Sequence, residues 1–123
     1  KDKYDLIQSR FVLHFLHKDD SYEIIKNIKS NIKINGIVYI YVFSLNDPKY
    51  QKNSISSEFE LLENNIFHNK IADTYISFFT KEEVLNLFED FKTICICDEY
   101  RLELDRETPY YAGFIRYIGQ RIK

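Results

Sequence analysis

Residues 37–43 read Ile-Val-Tyr-Ile-Tyr-Val-Phe, a run without a single charged side chain. A strand that is apolar on both faces is typical of a sheet covered by helices on both sides, so this run predicts an inner strand of an α/β domain. Asn35-Gly36 directly precedes the run. Because glycine readily adopts the positive φ that closes a helix, this pair predicts that a helix ends here.

The residues before this strand predict the helix itself. Asp20 and Glu23 have the spacing of a capping box, which places the helix start at Asp20. The apolar positions behind them form one stripe: Ile24, Ile25, Ile28 and Ile32. Residues 4–8 predict an earlier strand, and the dense apolar run 11–16 predicts a sharp turn and a short buried helical turn. Strand, helix and strand make a βαβ unit with a right-handed crossover.

The residues after the strand divide into a polar segment and a regular end. Residues 44–74 are interpreted as a loop or lid insertion, with a helical turn at 58–65. A short hairpin is predicted between 66–68 and 75–78. Thr80 and Glu83 form a second capping box and predict another helix.

Two strands complete the chain, at 93–104 and 110–118, and the short turn between them makes them antiparallel neighbours. The order is β-α-β-lid-α-β-β, and residues 1–123 are expected to form a single domain of the α/β class with a mixed sheet.

Composition excludes several classes of protein. The chain has 123 residues, 45% hydrophobic residues and a formal net charge of −2. It is therefore too apolar for a disordered chain and lacks the basic stripe of a nucleic-acid binder. No run approaches the roughly 20 apolar residues of a membrane span. Since the chain neither begins with Met nor contains one, we expect that it begins inside a longer gene product or that its start was trimmed.

The only two cysteines are Cys95 and Cys97. On a strand they share a face, and the interpretation is a pair of buried free thiols, which fits a reducing cytoplasm.

Four segments, in order, carry a resemblance to a known family. They are Tyr4-Asp5-Leu6-Ile7 with the run 11–16, then Ile32 to Ile37, Tyr75 to Val84, and Tyr111 to Lys123. This series resembles the second half of the class I S-adenosylmethionine-dependent methyltransferases, and the tellurite-resistance-type enzymes are the nearest subgroup. The resemblance implies half of a Rossmann-like methyltransferase fold, ending in an antiparallel hairpin.

The chain departs from the family at the cofactor site. In the family, the cofactor lies on the first two strands, where a Gly-rich turn approaches it closely. Here the only glycines are Gly36, Gly113 and Gly119, and no two of them form a G-x-G turn. We therefore expect a fragment or subunit of a methyltransferase that is not catalytic alone and uses S-adenosylmethionine only if the missing half is supplied. The alternative is a non-catalytic protein-binding module on this scaffold, such as an immunity protein that neutralises a bacterial toxin.

Candidate site residues follow the first predicted strand, where ligands bind in open α/β sheets. The residues expected near a cofactor or substrate are Gln8, Ser9, Arg10, Phe11 and His14. No residue is assigned a catalytic role. His14 and His17 precede two aspartates, but no third well-spaced ligand appears, so no metal site is predicted.

The first strand would lie inside the sheet of a complete fold. Without its other neighbour, its backbone groups would be unpaired along one edge. The residues of this edge are Tyr4, Asp5, Leu6, Ile7 and Gln8. We expect a protein partner or self-association along it, with no nucleic acid and no membrane.

Overall fold

A computed structural model describes residues 3–10 and 12–123 of the chain. The strands in the described residues are β1 (Tyr4–Arg10), β2 (Ile32–Phe43), β3 (Phe59–Leu61), β4 (Ile66–Asn69), β5 (Thr74–Ser77), β6 (Phe91–Glu103) and β7 (Tyr110–Arg121). The α-helices are α1 (Lys18–Asn31), α2 (Pro48–Ser54) and α3 (Lys81–Leu87). Two short 3₁₀ turns cover Leu13–Phe15 and Glu63–Asn65.

The main sheet has the strand order β1-β2-β7-β6. β1 runs parallel to β2, with Gln8 beside Tyr39. β7 runs antiparallel to both of its neighbours, β2 and β6. This arrangement confirms the predicted α/β class, the mixed sheet and the terminal antiparallel hairpin. It leaves β1 at one edge of the sheet.

The two faces of the sheet bury two clusters of side chains. The cluster beneath α1 and α3 contains Leu13, Ile25, Ile32, Val38, Ile40, Val42, Phe79, Val84, Phe88, Phe91, Ile115 and Tyr117. The cluster on the other face contains Tyr41, Phe43, Phe67, Phe78, Ala112 and Phe114. Successive residues of β2 alternate between the two clusters, as the period of a strand requires. Residues 37–43 are therefore covered on both faces over most of their length.

Helix α1 begins earlier than the predicted start at Asp20. His17 is the N-cap, and its Nδ1 accepts a hydrogen bond from the backbone N–H of Asp19 at 3.2 Å. Ser21 donates from Oγ to the carbonyl oxygen of Leu13 at 2.6 Å, which ties the first turn to the preceding 3₁₀ turn. Asp20 lies within the first turn, where its carboxylate interacts favourably with the positive end of the helix dipole but does not cap the helix.

The end of α1 also differs from the prediction. The helix ends at Asn31 and passes directly into β2, so Asn35-Gly36 lies inside the strand. Asn35 takes the positive φ of 68°, whereas Gly36 does not have one. A Cβ at Gly36 would lie 2.7 Å from Cγ1 of Ile32. Glycine is therefore required here for close approach to a buried side chain, and asparagine supplies the left-handed residue.

Residues 44–74 contain regular structure where a loop or lid was predicted. Helix α2 and a small antiparallel sheet, β3-β4-β5, lie within or border this segment. The predicted hairpin is confirmed, since Phe67 pairs with Ile76. The predicted helical turn at 58–65 is confirmed only at its end: β3 occupies the first part, and a 3₁₀ turn covers Glu63–Asn65, where Asn64 and Asn65 have positive φ. Whether the segment acts as a lid stays a prediction.

The capping box at the start of α3 is half confirmed. Thr80 is the N-cap, and its Oγ1 accepts from the backbone N–H of Glu83 at 3.2 Å. The Glu83 carboxylate makes its hydrogen bonds with Lys18 and Tyr22.

Thr80→Ala is expected to lower the free energy of unfolding by about 1 kcal/mol, because it leaves the N–H of Glu83 without its capping oxygen. Urea denaturation followed by circular dichroism measures this change. Ser57→Ala, at an exposed turn position, is the control and should change stability by less than about 0.5 kcal/mol. Equal effects from both substitutions would contradict the cap.

The last strand is longer than predicted, since β7 continues to Arg121 by pairing Gln120 with Ile37 and with Lys92. Among the described residues, no helix is long and apolar enough to cross a membrane.

Candidate functional site

A cavity of about 360 Å³ lies at the end of the sheet where β2 finishes. It is lined by His14, Phe15, Phe43, Lys49, Ile76, Glu103, Asp105, Arg106, Tyr110 and Phe114. The carboxyl ends of β1 and β2 point to this side because the two strands are parallel. Open α/β sheets bind their ligands at such an end.

A larger cleft of about 600 Å³ lies between the start of α1 and the turn Glu63–Asn65. Its lining contains neither Phe nor Tyr and is mostly polar or charged. We therefore take the smaller cavity, which combines the expected location with an apolar wall, as the candidate site.

Stacked aromatic rings form one wall of the candidate site. The His14 and Phe43 rings are stacked, with centroids 3.7 Å apart and planes at 19°. Phe15 meets both rings edge-on, at 4.5 Å and 5.6 Å. Phe114 lies beside Phe43 at 5.7 Å because β2 and β7 pair these two residues. The result is an aromatic surface suited to a flat ligand.

His14 is fully buried in this wall. Its Nδ1 accepts a hydrogen bond from the backbone N–H of Phe43 at 3.2 Å, so the neutral ring carries its proton on Nε2. Burial, with a smaller contribution from the charge of Lys49, lowers the pKa of His14 from 6.5 to about 3. The imidazole is therefore neutral near pH 7 and too weakly basic to act as an efficient general base.

Charged side chains of both signs form the rim. The ammonium of Lys49 lies 4.8 Å from the centroid of the Phe43 ring and 3.6 Å from Oδ1 of Asp47. The guanidinium of Arg106 lies 4.5 Å from the centroid of the Tyr110 ring. Glu103 and Asp105 also line the cavity. The site thus has an aromatic wall and a rim that can orient polar groups of a ligand.

Asp47 holds one side of the cavity in place. Its buried carboxylate accepts from the backbone N–H of Lys49 at 2.8 Å and from the backbone N–H of Gly113 at 2.9 Å. It therefore caps α2 and fastens the loop after β2 to β7. A Cβ at Gly113 would lie 2.6 Å from the backbone N of Asp47, so this close contact requires glycine.

The residues predicted from sequence are only partly brought together. His14 lines the cavity, while Gln8, Ser9 and Arg10 end β1 and are not among the lining residues. The Arg10 guanidinium lies 5.4 Å from the centroid of the Tyr41 ring. Phe11 lies outside the described residues. The assignment of these five residues to a cofactor or substrate stays a prediction.

The other lining residues were missed because they come from distant parts of the chain. Lys49 lies in the first turn of α2, Ile76 lies in β5, and Arg106 lies in the turn between β6 and β7. One signal was available: a terminal antiparallel strand beside β2 would bring aromatic residues of 110–118 next to Phe43.

Metal-binding groups do not cluster in the described part of the chain. No group of three or more His, Cys, Asp or Glu residues lies close enough there to hold an ion. His17, considered as a ligand with His14, instead caps α1.

The predicted partner edge is exposed. Tyr4 and Leu6 are 53% and 58% exposed. Of the described strands, only β2 pairs with β1. The edge lies where the sequence placed it, and a partner along it stays a prediction.

Comparison with known proteins gives matches only at the level of structure. No family model and no curated protein matches the sequence. Among solved structures, TehB from Haemophilus influenzae matches with a TM-score of 0.62 and 17% identity, over 98% of this chain and 36% of that protein. The fold is that of the S-adenosylmethionine-dependent methyltransferases.

Two further methyltransferase structures show the same similarity. One is the 1,6-didemethyltoxoflavin-N1-methyltransferase of Burkholderia thailandensis, with 1,6-didemethyltoxoflavin and S-adenosylhomocysteine bound. It has a TM-score of 0.62 and 14% identity, over 100% of this chain and 46% of that one. An S-adenosylmethionine-dependent methyltransferase from Methanosarcina mazei has a TM-score of 0.64 and 18% identity, over 98% of this chain and 60% of that one. The chain thus spans between 36% and 60% of the length of these methyltransferases.

The glycines of this chain do not form a cofactor cradle. A Cβ at each one would meet atoms of the chain itself: Ile32 at Gly36, Asp47 at Gly113 and Tyr117 at Gly119. The space beside each glycine is therefore filled from within. The described residues do not fit the Gly-rich turn through which such folds approach a nucleotide-like cofactor.

Proposed function

We propose that this chain is one half of an S-adenosylmethionine-dependent methyltransferase, a fragment or subunit that is not catalytic alone. The carrying observation is the position of β1, which lies at the edge of the main sheet with exposed apolar side chains. The shares of 36% and 60% spanned in the TehB and Methanosarcina structures support the same reading.

The candidate site supports a role on the substrate side. Its aromatic wall can stack on a planar methyl acceptor and exclude water from one face of it. His14, held neutral, can form this wall without bringing a charge into the cavity. Lys49 and Arg106 at the rim can orient polar substituents of the acceptor. S-adenosylmethionine supplies the methyl group when it is bound by the complementary half.

The exposed edge of β1 is the proposed joining surface. A strand of the complementary half would pair with its free backbone groups, since an unpaired edge is a ready template for another strand. Leu6 and Tyr4 would be covered in that assembly. The sheet would then extend past β1, and the cofactor-binding strands would lie beyond it.

Cofactor binding tests this function without knowledge of the methyl acceptor. The chain alone should bind S-adenosylmethionine more weakly than about 1 mM in calorimetry, and co-expression with the polypeptide encoded directly upstream should restore micromolar affinity. Leu6→Lys should reduce this restored affinity about tenfold or more, because a charge on the edge opposes strand pairing. Ile55→Lys is the matched control, at a position 88% exposed and away from β1.

Two outcomes would refute the proposal. Micromolar binding by the chain alone would mean that it contains a complete cofactor site. An assembled pair that still fails to bind S-adenosylmethionine would mean that the fold no longer serves methyl transfer.

The same free edge favours one second candidate function, a non-catalytic protein-binding module such as an immunity protein. Strand addition to an exposed edge is a common mode of protein recognition. A toxin that binds the wild-type chain stoichiometrically and the Leu6→Lys variant much more weakly would support it. Binding that is equal for both variants would place the partner elsewhere and count against it.

A further inference from the structure

The two cysteines form a close pair on β6, outside the candidate site. Both thiols are free, and their Sγ atoms lie 3.6 Å apart. Both thiols are partly exposed, so the prediction that they are buried is wrong. The side chain of Ile96, between them, packs against the helix-covered cluster. Because strand side chains alternate, both thiols point to the opposite face of the sheet, where they are only partly covered.

A charged network that joins β6 and β7 contacts this pair. Arg116 pairs with Cys97 across β6 and β7, and its Nη2 lies 3.7 Å from the Cys97 Sγ. The Arg116 guanidinium also forms an ion pair with Glu99, with Nη2 3.0 Å from Oε1. The other carboxylate oxygen of Glu99 accepts a hydrogen bond from the Tyr41 hydroxyl at 2.8 Å. The same Nη2 atom of Arg116 therefore contacts both the Glu99 carboxylate and the Cys97 sulfur, and the ion pair keeps the guanidinium beside the sulfur.

The two thiols are therefore not equivalent. The hydrogen bond from Arg116, with a further one from Cys95, lowers the pKa of Cys97. The hydrogen bond to Cys97 raises the pKa of Cys95. Cys97 therefore loses its proton more readily than Cys95, and the Cys95 thiol donates a hydrogen bond to the Cys97 thiolate. A thiolate is the form in which cysteine attacks electrophiles and binds soft ions.

The sulfur separation favours a shared ligand over a disulfide. To form a disulfide, the sulfurs would have to approach by about 1.5 Å to a bond length of ~2.05 Å. Two thiolates on one tetrahedral ion with bonds of about 2.3 Å stand about 3.8 Å apart, close to the observed distance. Pyramidal trivalent arsenic places two sulfur ligands similarly. An organoarsenic compound needs only two protein sulfurs. This number fits the pair, because no group of three His, Cys, Asp or Glu gathers in residues 3–10 and 12–123.

We propose that Cys95 and Cys97 form a dithiol site that chelates trivalent arsenic compounds. With an organoarsenic oxide, the Cys97 thiolate attacks arsenic first and the Cys95 sulfur second. Two As–S bonds form, the arsenic–oxygen double bond breaks, and the oxygen leaves as one water with both thiol protons. No atom changes oxidation state. The proposal is independent of any role in methyl transfer.

Phenylarsine oxide is the probe for this site. Because the chain has only two cysteines, every thiol lost on titration reports on this pair. The reduced chain should bind one arsenical, gain its mass less one water in intact mass spectrometry, and lose both thiols to a colorimetric thiol reagent. A large excess of glutathione should not remove the arsenical, whereas ethanedithiol should.

Three variants make the test specific. Cys95→Ser and Cys97→Ser should each weaken retention against glutathione by roughly 100-fold, because the second sulfur acts at high effective concentration. The double variant Cys97→Ser with Asp98→Cys keeps two cysteines but places them on opposite faces of the strand, and should lose retention equally. Retention of the arsenical by that variant, or its removal from the wild-type chain by glutathione, would overturn the proposal. Circular dichroism verifies that each variant is folded.

Discussion

Glu83→Gln is expected to lower the free energy of unfolding by roughly 3 kcal/mol, because it leaves the buried ammonium of Lys18 without its counter-charge. The Lys18 side chain is 1% exposed, and its Nζ lies 2.9 Å from Oε1 of Glu83. The Tyr22 hydroxyl donates to Oε2 of the same carboxylate. Burial lowers the pKa of Lys18, and Glu83 offsets part of that effect. Glutamine keeps the shape of the side chain but removes the charge and leaves one oxygen to accept from Lys18 and Tyr22.

Urea denaturation followed by circular dichroism measures the loss. Glu82→Gln is the matched control, on an exposed position of the same helical turn, and should change stability by less than about 0.5 kcal/mol. If Glu83→Gln is poorly folded, the double variant Lys18→Met with Glu83→Gln should recover much of the stability, since it removes both charges. A double variant less stable than Glu83→Gln, or a Glu83→Gln chain as stable as the control, would contradict the role of the pair.

This pair shows where sequence patterns end. The spacing of Thr80 and Glu83 located the start of α3, because a capping box is a local signal. The same spacing assigned the wrong partner to the Glu83 carboxylate. Lys18 lies 65 residues away, and only the packing of α1 against α3 brings the two together. Local periodicity therefore predicted the element but not the contact that stabilises it.

The sheet was predictable for a similar reason. The run 37–43 is continuously apolar, and Tyr100, Leu102 and Leu104 alternate with Arg101 and Glu103. Both patterns are local strand signals, and both coincide with strands of the main sheet, although β6 ends at Glu103. The errors at α1 arose where two signals compete. His17 caps a helix that Asp20 could also have capped, and Asn35 rather than Gly36 takes the positive φ. The sequence alone does not weigh such alternatives, because tertiary contacts such as that of Ser21 with Leu13 select between them.

The candidate site was less predictable than the sheet. Position after a strand identified His14, but it could not separate His14 from Gln8, Ser9 and Arg10, which the cavity does not include among its lining. The wall depends on the pairing of Phe43 with Phe114, and the rim depends on the turn between β6 and β7. Long-range register and loop conformation determine both.

His14 should make the stability of the chain depend steeply on pH below about 6.5. In the folded chain, burial and the charge of Lys49 lower the pKa of His14 from 6.5 to about 3. Between these two values the unfolded chain binds one more proton at this residue than the folded chain does, so the free energy of unfolding falls as the pH falls. The contribution is complete above pH 6.5 and is lost on approach to pH 3, for a total of roughly 5 kcal/mol.

Urea midpoints measured between pH 7.5 and 4.5 test this dependence. His14→Gln retains an oxygen that can accept the backbone N–H of Phe43 but does not titrate, so its stability should fall less steeply than that of the wild-type chain over this interval. The carboxylates are common to both proteins, and the difference between the two curves therefore isolates His14. A direct measurement follows the ring protons by nuclear magnetic resonance, with His17→Gln and His68→Gln used to assign the other two histidines. The His14 resonance should not titrate above pH 4.5. A midpoint near 6.5 would show that the ring becomes charged in the folded chain, and the aromatic wall of the candidate site would then carry a cation at mildly acidic pH.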